Sequence, residues 1–299
     1  MGRLTEMLGI QYPILQGAMA RIARYPLASA VSEAGGLGII AAGGLSAAEL
    51  QEQIRATKQR TSKPFGVNLM LQMPDISEQV NVLIREGVKI VTTGAGTPQP
   101  YLKQLKAAGV KVFPVVPSVK TAKKMEELGV DGVIAEGLEA GGHIGTVTTM
   151  ALVPQVAQAV TIPVIAAGGI GDGRGMAAAF ALGACGVQMG TVFLTAVECP
   201  IHENYQQAIL QADDTATTVL QKTHGGALRG LQNQLTLKNP AEAFSLAALE
   251  RAADSGDIQG GIVMAGQIAG LFQQVKPVET LITEIYTEAL EVAQKIKID

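Results

Sequence analysis

The chain has 299 residues, 47% of them hydrophobic and 16% charged, with a formal net charge of −3 at neutral pH. That length allows one large barrel or two medium domains around a sizeable core, and the mild acidity excludes the basic stripe of a nucleic-acid binder. Two cysteines, Cys185 and Cys199, are too few for a disulfide framework and lack metal or redox spacing.

At the N-terminus Met1 runs straight into Arg3 and Glu6 without a signal-like apolar core, and no apolar run reaches membrane-spanning length; a cytoplasmic protein with no membrane partner is expected. Short apolar, β-rich runs then recur at residues 12–18, 36–43, 64–71, 88–95, 111–117, 132–138, 163–169 and 186–191. Stretches such as GIIAAG, IVTTGA and VIAAGG lack polar alternation, as parallel strands buried on both faces do. Helical spacing fills residues 46–60, 76–86, 100–108, 118–128 and 150–160, several opened by Ser or Pro. Strand starts lie 21 to 31 residues apart, so the pattern predicts an α/β chain of eight βα steps, a closed (β/α)8 TIM barrel. The phrases EGVKI, AAGVKV and ELGVDG echo one another, and each puts a glycine (Gly87, Gly109, Gly129) where a helix can end in a left-handed turn.

After Thr191 the rhythm changes. Residues 196–212, 244–253 and 278–296 read as helical and 213–237 as mixed and polar. The expected organisation is a barrel over 1–195, a helical cap or lid over 196–277, and a C-terminal helix over 278–299 that returns to pack outside the barrel.

Barrel enzymes place their sites at the C-terminal ends of strands, and the last two strand ends often bind phosphate. Here those loops read AAGGIGDGRG (166–175) and QMGT (188–191), rich in unobstructed backbone amides and each followed by a helix N-terminus that favours an anion. Arg174 occupies the third position that a dinucleotide fingerprint requires, so a Rossmann site is rejected. The loop after the sixth strand, EGLEAGGHIG, offers His143 as the acid/base candidate, against the competing reading of a structural histidine. Glu136, at a strand end, can accept hydrogen bonds from a polar ligand; Glu139 reads as a solvated loop acid, and no ligand spacing supports a metal. Asn68 is polar inside an apolar strand and needs a partner. The loop QGAMA is small enough for a flat ring to pass. Cys185 reads as a packed thiol, and His202 and His224 as structural or surface residues of the cap.

Taken together, YPILQGAMA, GGLGII, KPFGVNLML, IVTTGAG, PVVPSV, AEGLEAGGHIGTVTTM, IPVIAAGGIGDG, QMGT, NQLTLK and GIVMAGQIAG resemble the flavin-dependent enoyl-acyl-carrier-protein reductase II family and its near relative, nitronate monooxygenase (2-nitropropane dioxygenase). The resemblance implies FMN, with Ala18, Met19 and Ala20 beside the ring, Asn68 and Glu136 on polar ring or ribityl atoms, Gly142 nearby, and Gly168, Gly169, Gly190 and Thr191 on the phosphate. His143 matches the family's catalytic histidine, and Met264 and Gln267 approach from the cap. Ala18 departs from the glycine of the reductase pattern. The implied reaction is reduction of a trans-2-enoyl thioester, carried on acyl carrier protein or CoA, by NADH or NADPH through FMN. Oxidation of alkyl nitronates with dioxygen is the alternative, and a non-enzymatic barrel binding a phosphorylated ligand is a third reading. Similar reductases are often homodimers and can need a monovalent cation.

Overall fold

In a computed structural model, which describes residues 2–222 and 226–296, every apolar run contributes a strand. In chain order these are β1 (Ile14–Gln16), β2 (Gly38–Ala41), β3 (Phe65–Met70), β4 (Ile90–Gly94), β5 (Lys111–Val116), β6 (Val133–Glu136), β7 (Gly142–Ile144), β8 (Val164–Ala167), β9 (Gly186–Met189), β10 (Thr217–Gln221) and β11 (Ala227–Leu231). Eight of them form one parallel sheet in the order β1-β9-β8-β6-β5-β4-β3-β2. The two end strands meet and close it. Leu15 bridges Leu37, the Gln16 amide donates to the Leu37 carbonyl at 3.0 Å, and the Leu37 amide donates to the Ile14 carbonyl at 2.9 Å. Where β1 runs out, the buried Gln16 side chain continues the ladder: Oε1 accepts from the Ile39 amide at 3.1 Å and Nε2 donates to the Ile39 carbonyl at 3.2 Å. The chain is thus a (β/α)8 barrel with a C-terminal cap, as the sequence predicts.

The surrounding helices are α1 (Gly2–Leu8), α2 (Tyr25–Glu33), α3 (Ala47–Arg60), α4 (Ile76–Arg85), α5 (Gln99–Ala107), α6 (Val119–Glu127), α7 (Thr149–Ala159) and α8 (Gly173–Ala181). Their starts and stops are local chemistry. Ser46 and Glu49 form a reciprocal capping box on α3, and the Ser118 hydroxyl accepts from the Thr121 amide on α6. Gly87, Gly109 and Gly129 take φ values of 69°, 70° and 81°, the left-handed turn that the repeated sequence phrase requires. Inside the barrel, Leu15, Leu37, Ile39, Phe113, Ile134 and Ile165 make a dry layer, and α1 adds Leu4 and Leu8 from below. The opposite end, where the strands finish, is left open.

Beyond the barrel come α9 (Thr191–Leu194), α10 (Glu203–Leu210), α11 (Gln234–Lys238), α12 (Leu246–Ala253) and α13 (Val278–Lys295). The last helix lies against α8 so closely that a Cβ on Gly173 would stand 2.4 Å from the Ala289 amide nitrogen. The segment between is not wholly helical. Residues 196–202 form turns, since Pro200 disfavours helix in the residue before it and α10 starts only after His202. The polar stretch 213–237 contains the antiparallel hairpin β10–β11, which joins β7 in a three-stranded sheet. Among the described residues, no helix is long and apolar enough to cross a membrane.

Candidate active site

The open end of the barrel holds a cavity of about 620 Å³, with Ala18, Met19 and Ala20 after β1, Asn68 on β3 and Glu136 at the tip of β6 on its wall. Gly168 and Gly169 after β8, Gly190 and Thr191 after β9, and Gly142 and His143 on β7 complete it. The structure therefore gathers all eleven candidate residues from six separate segments around one space. The first and last loops are tied together: the Gly17 amide donates to the Met189 carbonyl at 2.7 Å, and the Met19 sulfur lies beside Gly190. Asn68 finds its partner across the sheet, donating Nδ2 to Thr92 Oγ1 at 2.9 Å.

On one side the cavity presents groups whose chemistry suits an oxyanion. Gly168 and Gly169 adopt φ values of 97° and 68°, a conformation that L side chains resist. The Gly169 amide donates to no described residue, nor do the Thr191 and Val192 amides that open α9. The Thr191 hydroxyl accepts from the Gly266 amide at 2.9 Å, which leaves its proton for a ligand. The sequence reading gave both glycine loops a helix N-terminus for the anion; only α9 supplies one. That of α8 is already filled, because Asp172 accepts from the Gly175 amide at 2.8 Å and Glu288 from the Gly173 amide at 2.7 Å. A phosphate monoester fits the remaining cradle, as barrel phosphate sites beside a short extra helix do.

The two glutamates of the sixth loop part company. Glu136 is enclosed in the cavity wall with no charged partner, and burial pushes its carboxyl up to about 7. It can therefore donate as well as accept a hydrogen bond near neutrality. Glu139 is not a solvated loop acid: its carboxylate accepts from the Thr149 amide at 2.8 Å and from the Thr149 hydroxyl at 2.9 Å, closing the N-terminus of α7. The signal was present in the threonine-rich helix start, but the pairing spans ten residues of irregular chain.

His143 sits at the middle of β7, opposite Leu228 of β11, with its ring 6.4 Å from that of Phe244. Burial, and then the nearby Lys222 ammonium, lower its basicity below the ordinary histidine value, so the imidazole is neutral near pH 7. Lys222 and Phe244 come from the cap and line the cavity, with the ammonium 5.7 Å from the Phe244 ring centre. Sequence reasoning missed both, because nothing in their local pattern marks where the cap folds back. Met264 also lines the cavity. Gln267 does not: its amide donates to the Glu139 carbonyl at 2.9 Å, and it borders a separate pocket of about 290 Å³.

The remaining candidates are structural. Cys185 donates its thiol to the Val164 carbonyl at 3.3 Å; Cys199 is buried, and desolvation drives its thiol far above the usual range. His202 caps α10, its Nδ1 accepting from the Asn204 amide at 3.1 Å. His224 lies outside the described residues. Among the described residues, no cluster of three or more His, Cys, Asp or Glu could hold a metal ion.

A family model described as nitronate monooxygenase matches residues 2–288. A solved structure of FabK from Thermotoga maritima is 47% identical with a TM-score of 0.94, covering 98% of this chain and 97% of that one. A probable nitronate monooxygenase of Staphylococcus aureus (strain NCTC 8325 / PS 47) is 37% identical over 78% of each chain. The (3aS,4S,5R,7aS)-5-hydroxy-7a-methyl-1-oxo-octahydro-1H-indene-4-carboxyl-CoA dehydrogenase of Rhodococcus jostii (strain RHA1) is 34% identical, covering 96% of this chain and 95% of the relative.

Proposed function

We propose that this chain, which belongs to the nitronate monooxygenase family and is a flavin-dependent oxidoreductase, oxidises alkyl nitronates with FMN as its redox group. When bound, FMN supplies the capacity to accept electrons from the substrate and pass them to dioxygen. Gly168, Gly169, Gly190 and Thr191 would hold its phosphate, Ala18, Met19 and Ala20 would flank the ring, and Asn68, Glu136 and Gly142 would meet its polar atoms.

The observation that carries the reading is the pairing of Lys222 with a neutral His143 at the cavity mouth. Lys222 is the only lysine or arginine among the described residues of the cavity wall. A nitronate is an anion with its charge spread over two oxygens, and an ammonium beside it favours that form over the neutral nitroalkane. The neutral imidazole can take a proton from the carbon of a nitroalkane, or donate a hydrogen bond to a nitronate oxygen. The family description and the Staphylococcus relative support this activity, whereas the sequence motifs alone favour the reductase.

The reductase remains a second reading with its own support. The 47% identity to Thermotoga FabK extends over nearly the whole chain, and the Rhodococcus relative is named for an acyl-CoA substrate. In that reading His143 would donate to the thioester oxygen of an enoyl group brought by acyl carrier protein or CoA, with NADH or NADPH as reductant. Anaerobic mixing separates the two. Bleaching of the flavin by an alkyl nitronate, with oxygen uptake on aeration and no demand for NADH, supports the first. Bleaching by NADH and reoxidation by a short enoyl thioester would overturn it in favour of the second.

A further inference from the structure

One buried charge has no part in the chemistry above. Arg229 lies in the middle of β11, only 5% exposed, and its charged form is disfavoured by desolvation and partly restored by the Glu139 carboxylate. Its guanidinium makes no ion pair within contact distance among the described residues. Instead Nε donates to the Leu138 carbonyl at 3.2 Å and Nη1 donates to Thr217 Oγ1 at 2.9 Å. A cation is costly to bury in that manner, so its placement calls for a reason.

The reason lies in what the guanidinium connects. Leu138 belongs to the loop between β6 and β7, Thr217 to β10, and the Arg229 backbone pairs with Gly142, next to His143. On its other side the same loop is pressed against the 264–266 segment: a Cβ on Gly141 would stand 2.6 Å from the Ala265 carbonyl carbon, and the Glu139 carbonyl accepts from the Gln267 amide. The loop is therefore gripped from two sides, and among the described residues of the hairpin Arg229 is the one whose side chain hydrogen-bonds to it. β7 has three residues, the short end of the usual strand range, so contacts beyond its own ladder add to its support.

We infer that Arg229 is a positioning residue for the reaction: through Leu138 and Thr217 it fixes the loop that presents His143, and so couples the cap hairpin to the geometry of the imidazole. The inference rests on the reading of His143 as catalytic. Arg229 is not among the residues that line the cavity and acts through that loop and strand.

A double-mutant cycle with hydrogen exchange tests it. Arg229→Gln is expected to lower turnover by about 10-fold or more while FMN affinity and KM stay within about twofold, because misplacement affects the reacting geometry rather than ground-state binding. Arg229→Lys, which keeps the charge and one donor, is expected to recover most of the rate. In a His143→Ala background Arg229→Gln is expected to add no further loss; equal, additive losses in both backgrounds would overturn the inference. Amide exchange at residues 142–144 is expected to accelerate in Arg229→Gln and return in Arg229→Lys, and unchanged protection there would also overturn it. Should Arg229→Gln not fold, Arg229→Lys carries the same cycle with a loss of about threefold expected. Wild-type protein inert toward nitronates and enoyl thioesters alike would sink the functional reading, and the exchange measurement would still judge Arg229.

Discussion

His143 and Leu228 face each other across an antiparallel ladder, so the residue that the barrel loop presents to the cavity is held in place by the cap. Replacing His143 with alanine leaves the glycine cradle and the first loop untouched. The variant is expected to bind FMN normally, by its visible spectrum, and to lose about 10²–10⁴ of its turnover. Loss of flavin together with activity would show a structural histidine instead.

The pH dependence follows from the sign of the shift. Burial and Lys222 hold the His143 pKa below its ordinary value, so a step that needs the neutral ring runs fully above that pKa and fails as pH falls through it. Lys222→Gln removes one of the two causes, and the acid limb of kcat/KM is expected to move up toward the unperturbed value near 6.5. The same variant should weaken the discrimination between nitronate and neutral nitroalkane. An acid limb that stays put would assign it to another group.

Glu136 shifts the other way. Its carboxyl is raised from 4.5 to about 7 by burial, so between those values the folded protein holds a proton that the unfolded chain has released. Stability therefore falls as pH rises through this window. For flavin-free protein the loss is expected to be on the order of 2 kcal/mol, allowing for water in the cavity. Thermal unfolding at pH 5 and pH 8 measures it, and Glu136→Gln should flatten the difference.

The glycine cradle can be tested against a matched control. Gly169 and Gly87 have nearly the same φ, 68° and 69°, but a Cβ on Gly169 would stand 3.1 Å from the Glu139 Cβ whereas one on Gly87 meets nothing within 4 Å. Both alanine variants should lose about 1–2 kcal/mol of stability from the left-handed backbone. Only Gly169→Ala should also weaken FMN binding, by about tenfold or more, in a fluorescence titration. Equal FMN affinity in the two would remove Gly169 from the phosphate site.

Much of this architecture was readable from the residues. Runs such as VIAAGG announce strands buried on both faces, and Gly87, Gly109 and Gly129 mark helix ends, because both signals are local. The contributions that escaped depend on distant chain. Three-residue β7 has no period to detect, and the hairpin of residues 217–231 is visible only once it is paired with that strand. Gln16 reads as a lone polar residue in a strand until Ile39 is seen beside it. Glu139 resembles any loop acid until Thr149 arrives. Arg229, in the cap, serves a loop 91 residues earlier.

The same Gln16 makes a further check possible. Gln16→Leu keeps the volume but strips both hydrogen bonds from Ile39, leaving a buried amide and carbonyl unpaired. A loss of about 2–4 kcal/mol in denaturant unfolding is expected, and a loss below about 0.5 kcal/mol would mean the seam is held by its backbone contacts alone.

With Leu4 and Leu8 of α1 stoppering the far end of the barrel beneath a dry layer of Phe113, Ile134 and Ile165, the vessel has a bottom, and its cavity opens where the strands finish. Organic reactants that use the cavity share that approach. The N-terminal helix thereby sets the direction of approach from the side opposite the chemistry.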